Sequence, residues 1–333
     1  MSSDLDVTVI MPTFRRAETV RITLESMAAM DCGDLKYEIA VVDNNSPDHT
    51  REVIESFSDR MPVNYLFEEV PGKNNALNRG LDDANLGRIV VFTDDDVTVE
   101  PDWLTTIVEC CERWPDHSLF GGKITIHWPW PEERVPKWAH HPYINEFGFT
   151  SHDYSPDEVE YEGKRLPFGP NFWVRREALE GRRFNVDIGP HPTNRILGDE
   201  TLFMREFVRD GFHAVYSPHP SVAHRIQEEV LTPKGIVARA HQLGRGNPHV
   251  YGLPRMELLE SNPAKWRRIR KLAAMRDRLA LFMTRFILDP DTRVVRAVQR
   301  MRDLGFNTES LTLEKLGMLD VGFDTPSRTP TQV

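Results

Sequence analysis

Cysteine is scarce: Cys32, Cys110 and Cys111 are the only three in 333 residues. None stands in a CxxC or similar ligand spacing, so neither a disulfide framework nor a zinc site is indicated. Long apolar runs are missing as well. No stretch reaches the roughly 18 apolar residues of a spanning helix, and the opening MSSDLDVTVIMPTF lacks the basic start and apolar run of a signal peptide. A reduced, cytoplasmic setting is the expectation. Net positive charge is absent: 41 Lys and Arg face 51 Asp and Glu, a formal charge of −10. That argues against binding along a nucleic-acid backbone, which needs many cations. No GxGxxG follows the first apolar run, which disfavours a dinucleotide-dependent dehydrogenase.

What is present is a soluble globular composition, 40% hydrophobic and 28% charged. The length suits one large domain, or a domain with an appendage. The first third alternates short apolar runs with longer segments of helical period. Strands are predicted at 7–11, 37–42, 63–67 and 88–93, and helices at 18–30, 50–57, 74–83 and 102–113. This alternation predicts a mostly parallel sheet with helices on both faces. Ligands bind such sheets beyond the carboxyl ends of the strands. Polar residues just after each strand therefore carry the most information: Pro12-Thr13-Phe14-Arg15-Arg16, Asp43-Asn44-Asn45, Gly72-Lys73-Asn74-Asn75 and Asp94-Asp95-Asp96.

After residue 118 the alternation stops. A strand is predicted at 119–126, and 127–166 reads as a long loop with little regular structure, rich in Trp, Pro and His. Loops of that length are usually lids or binding loops. Short strands follow at 168–174 and 214–216, with a helix at 199–210 between them.

Three groups of residues suggest chemistry. Asp94, Asp95 and Asp96 would repel one another after a buried strand unless a cation were present. A hard divalent ion shared with substrate phosphates answers that need, and a solvated acidic turn is the plainer alternative. Asp199 and Glu200 open a helix. One of them could take a proton from an acceptor hydroxyl, or Asp199 could simply cap the helix while Glu200 complements its dipole. His224 follows an apolar run and could ligate a metal through a neutral imidazole, or be an ordinary packed histidine.

In order and spacing these blocks resemble the family 2 glycosyltransferases, from about Asp6 to about Gly246. The resemblance rests on PTFRR, EIAVVDNNSPDHT, GKNNALNRGL, RIVVFTDDDVTVEPDWL, FGPNFWVRREAL, LGDETLFMREF and YSPHPSVAHRI. It implies a GT-A fold over residues 1–246 with 127–166 as an acceptor or lid loop; beyond it the family pattern fades, and the residues themselves predict a helical extension over 247–320 and a disordered tail at 321–333. It further implies inverting transfer of a sugar from a nucleoside diphosphate, with UDP favoured, to a glycan, lipid-linked or small-molecule acceptor. Pro12, Thr13, Phe14, Arg15 and Asp43 would line the nucleoside, and Lys73, Asn74 and Asn78 the same pocket. Asp94 and Asp96 match the DxD motif, with Asp95 in its variable middle position. Asp96, Asp94 and His224 would hold manganese or magnesium. Asp199 matches the catalytic base, and Asn171 would contact donor sugar or acceptor. Two rivals stay open, a nucleotidyltransferase and a catalytically silent nucleotide-sugar binding protein. The first is disfavoured by the missing glycine-rich phosphate loop.

Residues 265–286 mix a cationic cluster with Trp, Leu, Met and Phe at helical spacing. Such a helix can lie on a membrane surface at the inner face, or pack on the protein with a solvated basic face. The packed reading is preferred, because Leu279, Leu281 and Phe282 can serve as core.

Overall fold

A computed structural model describes residues 4–163 and 165–318. The chain forms two compact units that meet between Ile236 and Val237. The expected disordered tail lies outside the described residues.

The first unit opens with β1 (Val7–Thr13), α1 (Ala17–Ala28), β2 (Tyr37–Asp43), α2 (Thr50–Glu55), β3 (Val63–Phe67), α3 (Lys73–Asp83) and β4 (Ile89–Phe92). Strand β1 pairs in parallel with β2 and β4, and β2 with β3. Because side chains alternate across a strand, this half builds two cores. Val7, Val9 and Met11 point to the same side as Ile39 and Val41 and meet Val20, Leu24 and Met27 of α1. Ile10, Val42, Val90 and Phe92 meet Ala76 and Leu77 of α3 on the other side. Such strands, buried on both faces, are why the apolar runs were continuous.

Next come β5 (Val97–Val99), α4 (Trp103–Arg113), β6 (Leu119–His127), α5 (Pro142–Phe149), β7 (Val159–Glu160), β8 (Phe172–Arg175), α6 (Asp199–Arg209) and β9 (Ala214–Arg225). The sheet order is β3-β2-β1-β4-β8-β6-β9-β5, with β7 on β9. Beyond β4 the sheet becomes mixed: β8 runs antiparallel to β4 and β6, while β6 and β9 are parallel.

Two expectations need correction. Residues 127–166 carry more regular structure than the expected loop. They hold α5, β7 and 3₁₀ turns at Glu132–Arg134 and Lys137–His140. The later part is fastened down: Ile124 bridges His152, and Glu158 receives hydrogen bonds from Arg113, Trp114 and Ser217. His152 packs among Tyr154, Tyr161 and Tyr216, and burial with Arg165 nearby lowers its pKa to about 4. The second correction is β9, which runs to Arg225 rather than stopping near residue 216. Pro218 and Pro220 concealed it, since proline is ordinarily evidence against a strand interior. Here the prolines fall where the register against β6 shifts, between Gly122 and Lys123.

The second unit comprises the later part of α7 (Pro233–Tyr251), with α8 (Met256–Ser261), α9 (Pro263–Met283) and α10 (Pro290–Lys315). Leu253, Leu259, Trp266 and Leu313 form its core, and Trp266 donates its indole N–H to the Pro254 carbonyl at 2.7 Å. Helices α7 and α10 touch backbone to backbone: a Cβ on Gly244 would lie 2.0 Å from the Arg302 carbonyl oxygen. Among the described residues no helix is long and apolar enough to cross a membrane.

Candidate active site

The parallel strands end together, and their carboxyl edges carry the residues singled out above. At the end of β1, Thr13 donates its hydroxyl to Asp95 Oδ2 at 2.7 Å. Phe14 and Arg15 follow and are exposed, with the Arg15 guanidinium over the Phe14 ring. Arg15 has a φ of 57° and donates its backbone N–H to Ser46 Oγ at 2.8 Å, which ties the edges of β1 and β2 together. Asp43 ends β2 and is buried. It accepts from the Ser46 backbone N–H at 3.0 Å, as in an Asx-type turn, and from the Tyr65 hydroxyl at 3.1 Å.

The three aspartates after β4 have three different surroundings. Asp94 accepts an ion pair from Lys73 Nζ at 2.5 Å. Asp95 is buried, and burial raises its pKa despite its 2.8 Å contact with Arg16. Asp96 is also buried. Burial pushes its pKa up, but His224, Arg16 and Lys73 together hold it well below the ordinary range. Arg16 Nη1 reaches Asp95 and Asp96 at once, at 2.8 and 2.9 Å.

His224 stands opposite Val97 in the β5–β9 pair, so the extension of β9 brings it to Asp96. Its Nε2 lies 3.4 Å from Asp96 Oδ1, while Nδ1 lies 2.8 Å from the Phe149 carbonyl oxygen. A carbonyl can only accept, so Nδ1 carries the proton there, and in the neutral ring Nε2 presents a lone pair. Asp96 Oδ1 has no hydrogen-bond partner. A lone pair and an unpartnered carboxylate oxygen that face each other need a cation between them, either a proton or a metal. Burial lowers the His224 pKa and Asp96 more than offsets this, for a net rise. The donor set thus fits a divalent ion, which typically takes one or two carboxylates and completes its shell with substrate phosphates. Asp94 is not gathered into this pair, and among the described residues no group of three His, Cys, Asp or Glu side chains is assembled for a metal.

Asp199 is the first residue of α6, not its cap. Gly198 takes the cap position, and no side chain caps the helix. The carboxyl is 1% exposed, and neither oxygen has a hydrogen-bond partner. Burial and the neighbouring Glu200 carboxylate raise its pKa well above the ordinary value, although Lys73 pulls the other way. Glu200 is held by Lys73, whose charge keeps the Glu200 pKa low against burial. The pKa values of the adjacent acids are thereby driven apart, Asp199 upward and Glu200 downward.

Three of the expected site asparagines brace the backbone. Asn171 is fully buried. Its amide donates to the Lys123 and Pro220 carbonyls, and its oxygen accepts from Trp103 Nε1. Through these bonds Asn171 braces β6 and β9. Asn78 exchanges two hydrogen bonds with the Phe184 backbone, and Asn74 donates to the Asn185 and Ile188 carbonyls. Both amides hold segment 184–188 against α3. The Asn74 oxygen alone is left buried and unpartnered.

That segment was missed from the sequence, because it shows no periodicity. It leads to Gly189, whose φ is 107°, and a Cβ there would lie 3.1 Å from both Asn74 Nδ2 and Asp199 Oδ2. Gly189 lets the chain pass directly beside the Asp199 carboxyl. Arg195 follows, exposed, with its guanidinium within electrostatic reach of Asp199, Asp94 and Asp96 and with no ion pair among the described residues. The sequence signal was a lone arginine just ahead of LGDET, too common a feature to read alone.

Comparison with known proteins agrees with this geometry. The model of glycosyl transferase family 2 matches residues 8–182. The succinoglycan biosynthesis protein ExoM of Rhizobium meliloti is 26% identical over 245 residues, 72% of this chain and 74% of that protein. Glycosyltransferase AglE of Haloferax volcanii is 24% identical over 261 residues, 76% of each. Among solved structures, the mannosyltransferase PcManGT of Pyrobaculum calidifontis, in complex with GDP-Man and Mn2+, aligns with a TM-score of 0.51 at 18% identity, over 95% of this chain and 79% of its own. S. aureus TarS 1-349 aligns with a TM-score of 0.51 at 14% identity, over 94% and 92%. The chain belongs to glycosyl transferase family 2 and is a glycosyltransferase of the GT-A fold.

Proposed function

We propose that the enzyme transfers a sugar from a nucleoside diphosphate, UDP by preference, to an acceptor hydroxyl with inversion at the anomeric carbon, using Asp199 as general base. The observation that carries this reading is Asp199 itself: a buried carboxyl with both oxygens free, beside strand ends rich in anionic and cationic groups. A helix cap would have been bonded to backbone N–H groups.

The nucleoside meets the Thr13–Arg15 edge, where Phe14 offers an exposed ring and Asp43 an acceptor for an imide N–H. The acceptor oxygen attacks C1 from the face opposite the diphosphate while Asp199 takes its proton. The bond from C1 to the diphosphate oxygen breaks, and its electron pair leaves with the diphosphate. Asp96 and His224 would hold a divalent ion there, which when bound offsets charge on the departing phosphates. Lys73 and Arg195 add fixed positive charge on the same side, and the clamps at Asn74 and Asn78 hold the Gly189 passage in line. No covalent enzyme intermediate is required. PcManGT was solved with GDP-Man and Mn2+, which supports a nucleotide-sugar and divalent-ion site here. Dolichol-phosphate mannosyltransferase of Pyrococcus furiosus, 30% identical over 141 residues, acts as its name states on a lipid phosphate, and supports a lipid-linked acceptor among the candidates.

The test is release of nucleoside diphosphate from a panel of UDP-, GDP- and dTDP-sugars in the presence of manganese. Release of UDP from one donor, dependent on manganese, is expected. Binding without release would favour a silent binding protein. Arg195→Ala should weaken donor binding by about 10–100-fold, the range of a hydrogen bond to a charged group. Unchanged donor affinity in titration calorimetry would remove Arg195 from the site.

A further inference from the structure

Helix α9 has two unlike faces. Trp266, Ala274 and Asp277 are buried on one side. On the opposite side Leu272, Met275, Leu279, Phe282 and Met283 are each about half exposed or more, between 49% and 63%, and Phe286, in the 3₁₀ turn Thr284–Phe286 that follows, is 66% exposed. At about 100° per residue the five positions on the helix fall in one arc of about 100°, turned away from the buried side. The expectation that Leu279 and Phe282 form core is thus corrected. Two apolar faces share one period, and only the other one packs.

Charge is arranged around this stripe. Lys271, Arg278 and Arg285 recur every seven residues along one border, and Arg268 sits near its beginning. A shallow hollow lined by Ala264, Arg267, Arg268, Lys271, Leu272 and Met275 surrounds an apolar floor with three cations. Asp277 is the single acid in 263–286, and it is buried on the far side with Arg276 and Asn307. The chain carries −10 overall, so this surface runs against its own net charge.

We propose that this face of α9 docks on an anionic lipid bilayer, its apolar stripe entering the boundary between headgroups and acyl chains. Apolar area and cations then act together, as they do for helices that lie in a membrane interface. A second copy of the chain is a poorer occupant. Antiparallel pairing would set the row of Lys271, Arg278 and Arg285 against itself, and no acid on the face is available to offset it. The inference is independent of donor, acceptor and catalytic base.

Flotation of the full chain with vesicles tests it. Strong partitioning is expected onto vesicles about one-third phosphatidylglycerol, weak partitioning onto pure phosphatidylcholine, and a decline as salt shortens electrostatic reach. Each cation near an anionic surface contributes about 5-fold, so Lys271→Gln, Arg278→Gln and Arg285→Gln combined should lower partitioning by about 100-fold. Leu279→Ser with Phe282→Ser should lower it by at least about 10-fold. All five side chains are exposed, and unchanged thermal melts would verify that the variants fold. Equal partitioning onto both vesicle types, or wild-type partitioning by either variant, overturns the proposal. So does a lipid-free dimer that Leu279→Ser with Phe282→Ser turns into a monomer.

Discussion

Asp199→Asn is expected to lower turnover by about 10²–10⁴-fold, the usual share of general-base catalysis, while leaving donor affinity near the wild-type value. The amide keeps the shape of the carboxyl but cannot take up the proton. Glu200→Gln should be much milder, because Glu200 anchors Lys73 and its low pKa makes it a weak base. Asp199→Asn should also raise stability at high pH. A carboxyl whose folded pKa lies above its unfolded value, about 4, favours the fold fully only below the unfolded pKa. That contribution is lost as pH rises through the folded pKa. Wild type therefore loses stability toward pH 8 that the asparagine variant keeps, and its melting temperature should exceed wild type there and converge with it near pH 4. The acid limb of wild-type kcat/KM should also lie above the ordinary carboxylate range and vanish in the variant. Near-normal turnover with no gain in melting temperature would mean that Asp199 is neither base nor unpaired buried acid.

The second large effect concerns the cation. Asp96→Asn should reduce turnover by about 10²–10³-fold, the loss expected when several kcal/mol of charge stabilisation disappears. Wild type in chelator should fall equally far. A readout without turnover separates this from a folding defect: manganese should sharpen the thermal shift that UDP gives wild type and have no such effect on Asp96→Asn. His224→Ala should follow the same pattern more weakly. Full activity of wild type in chelator would contradict the assignment, and the Asp96–His224 pair would then be held by a shared proton.

Much of this organisation can be read from residue order alone, and the limits have physical causes. Strands β1, β2 and β4 were legible because a parallel strand buried on both faces is mostly apolar, whereas β3 is only partly buried and was legible from its short apolar run. Helix α6 and its opening acids were legible from helical period and position. Strand β9 was not, because its prolines are tolerated only at a shift of register that the strand partner creates. The bracing bonds of the three asparagines were hidden for a related reason. An amide binds ligand or braces backbone according to what folds against it, and their partners lie far off in sequence. Asn171 meets the Pro220 carbonyl across 49 positions, and Asn74 meets Asn185 across 111. Arg16 has the same character, since its carboxylates are 79 and 80 positions away. In α9 the period was evident, but period alone cannot say which of two apolar faces is covered.

On the proposed mechanism, the contrast between Asp199 and Glu200 comes from what folds against each. Both begin one helix, both are acids, and sequence separates them only by resemblance. Lys73, delivered by the first turn of α3, takes Glu200 and Asp94 and leaves Asp199 unpaired. Gly189 brings a backbone without a side chain alongside, so that no Cβ fills the space next to the carboxyl.

The most direct measurement of the central claim is the configuration of the released sugar. Once a turned-over donor is known, slow hydrolysis in the absence of acceptor can be followed by proton NMR before the free sugar equilibrates. The account predicts that the first sugar formed has the anomeric configuration opposite to that in the donor, and that Asp199→Asn forms it far more slowly. A first product with the donor's own configuration, or a sugar found covalently on the enzyme, would contradict it.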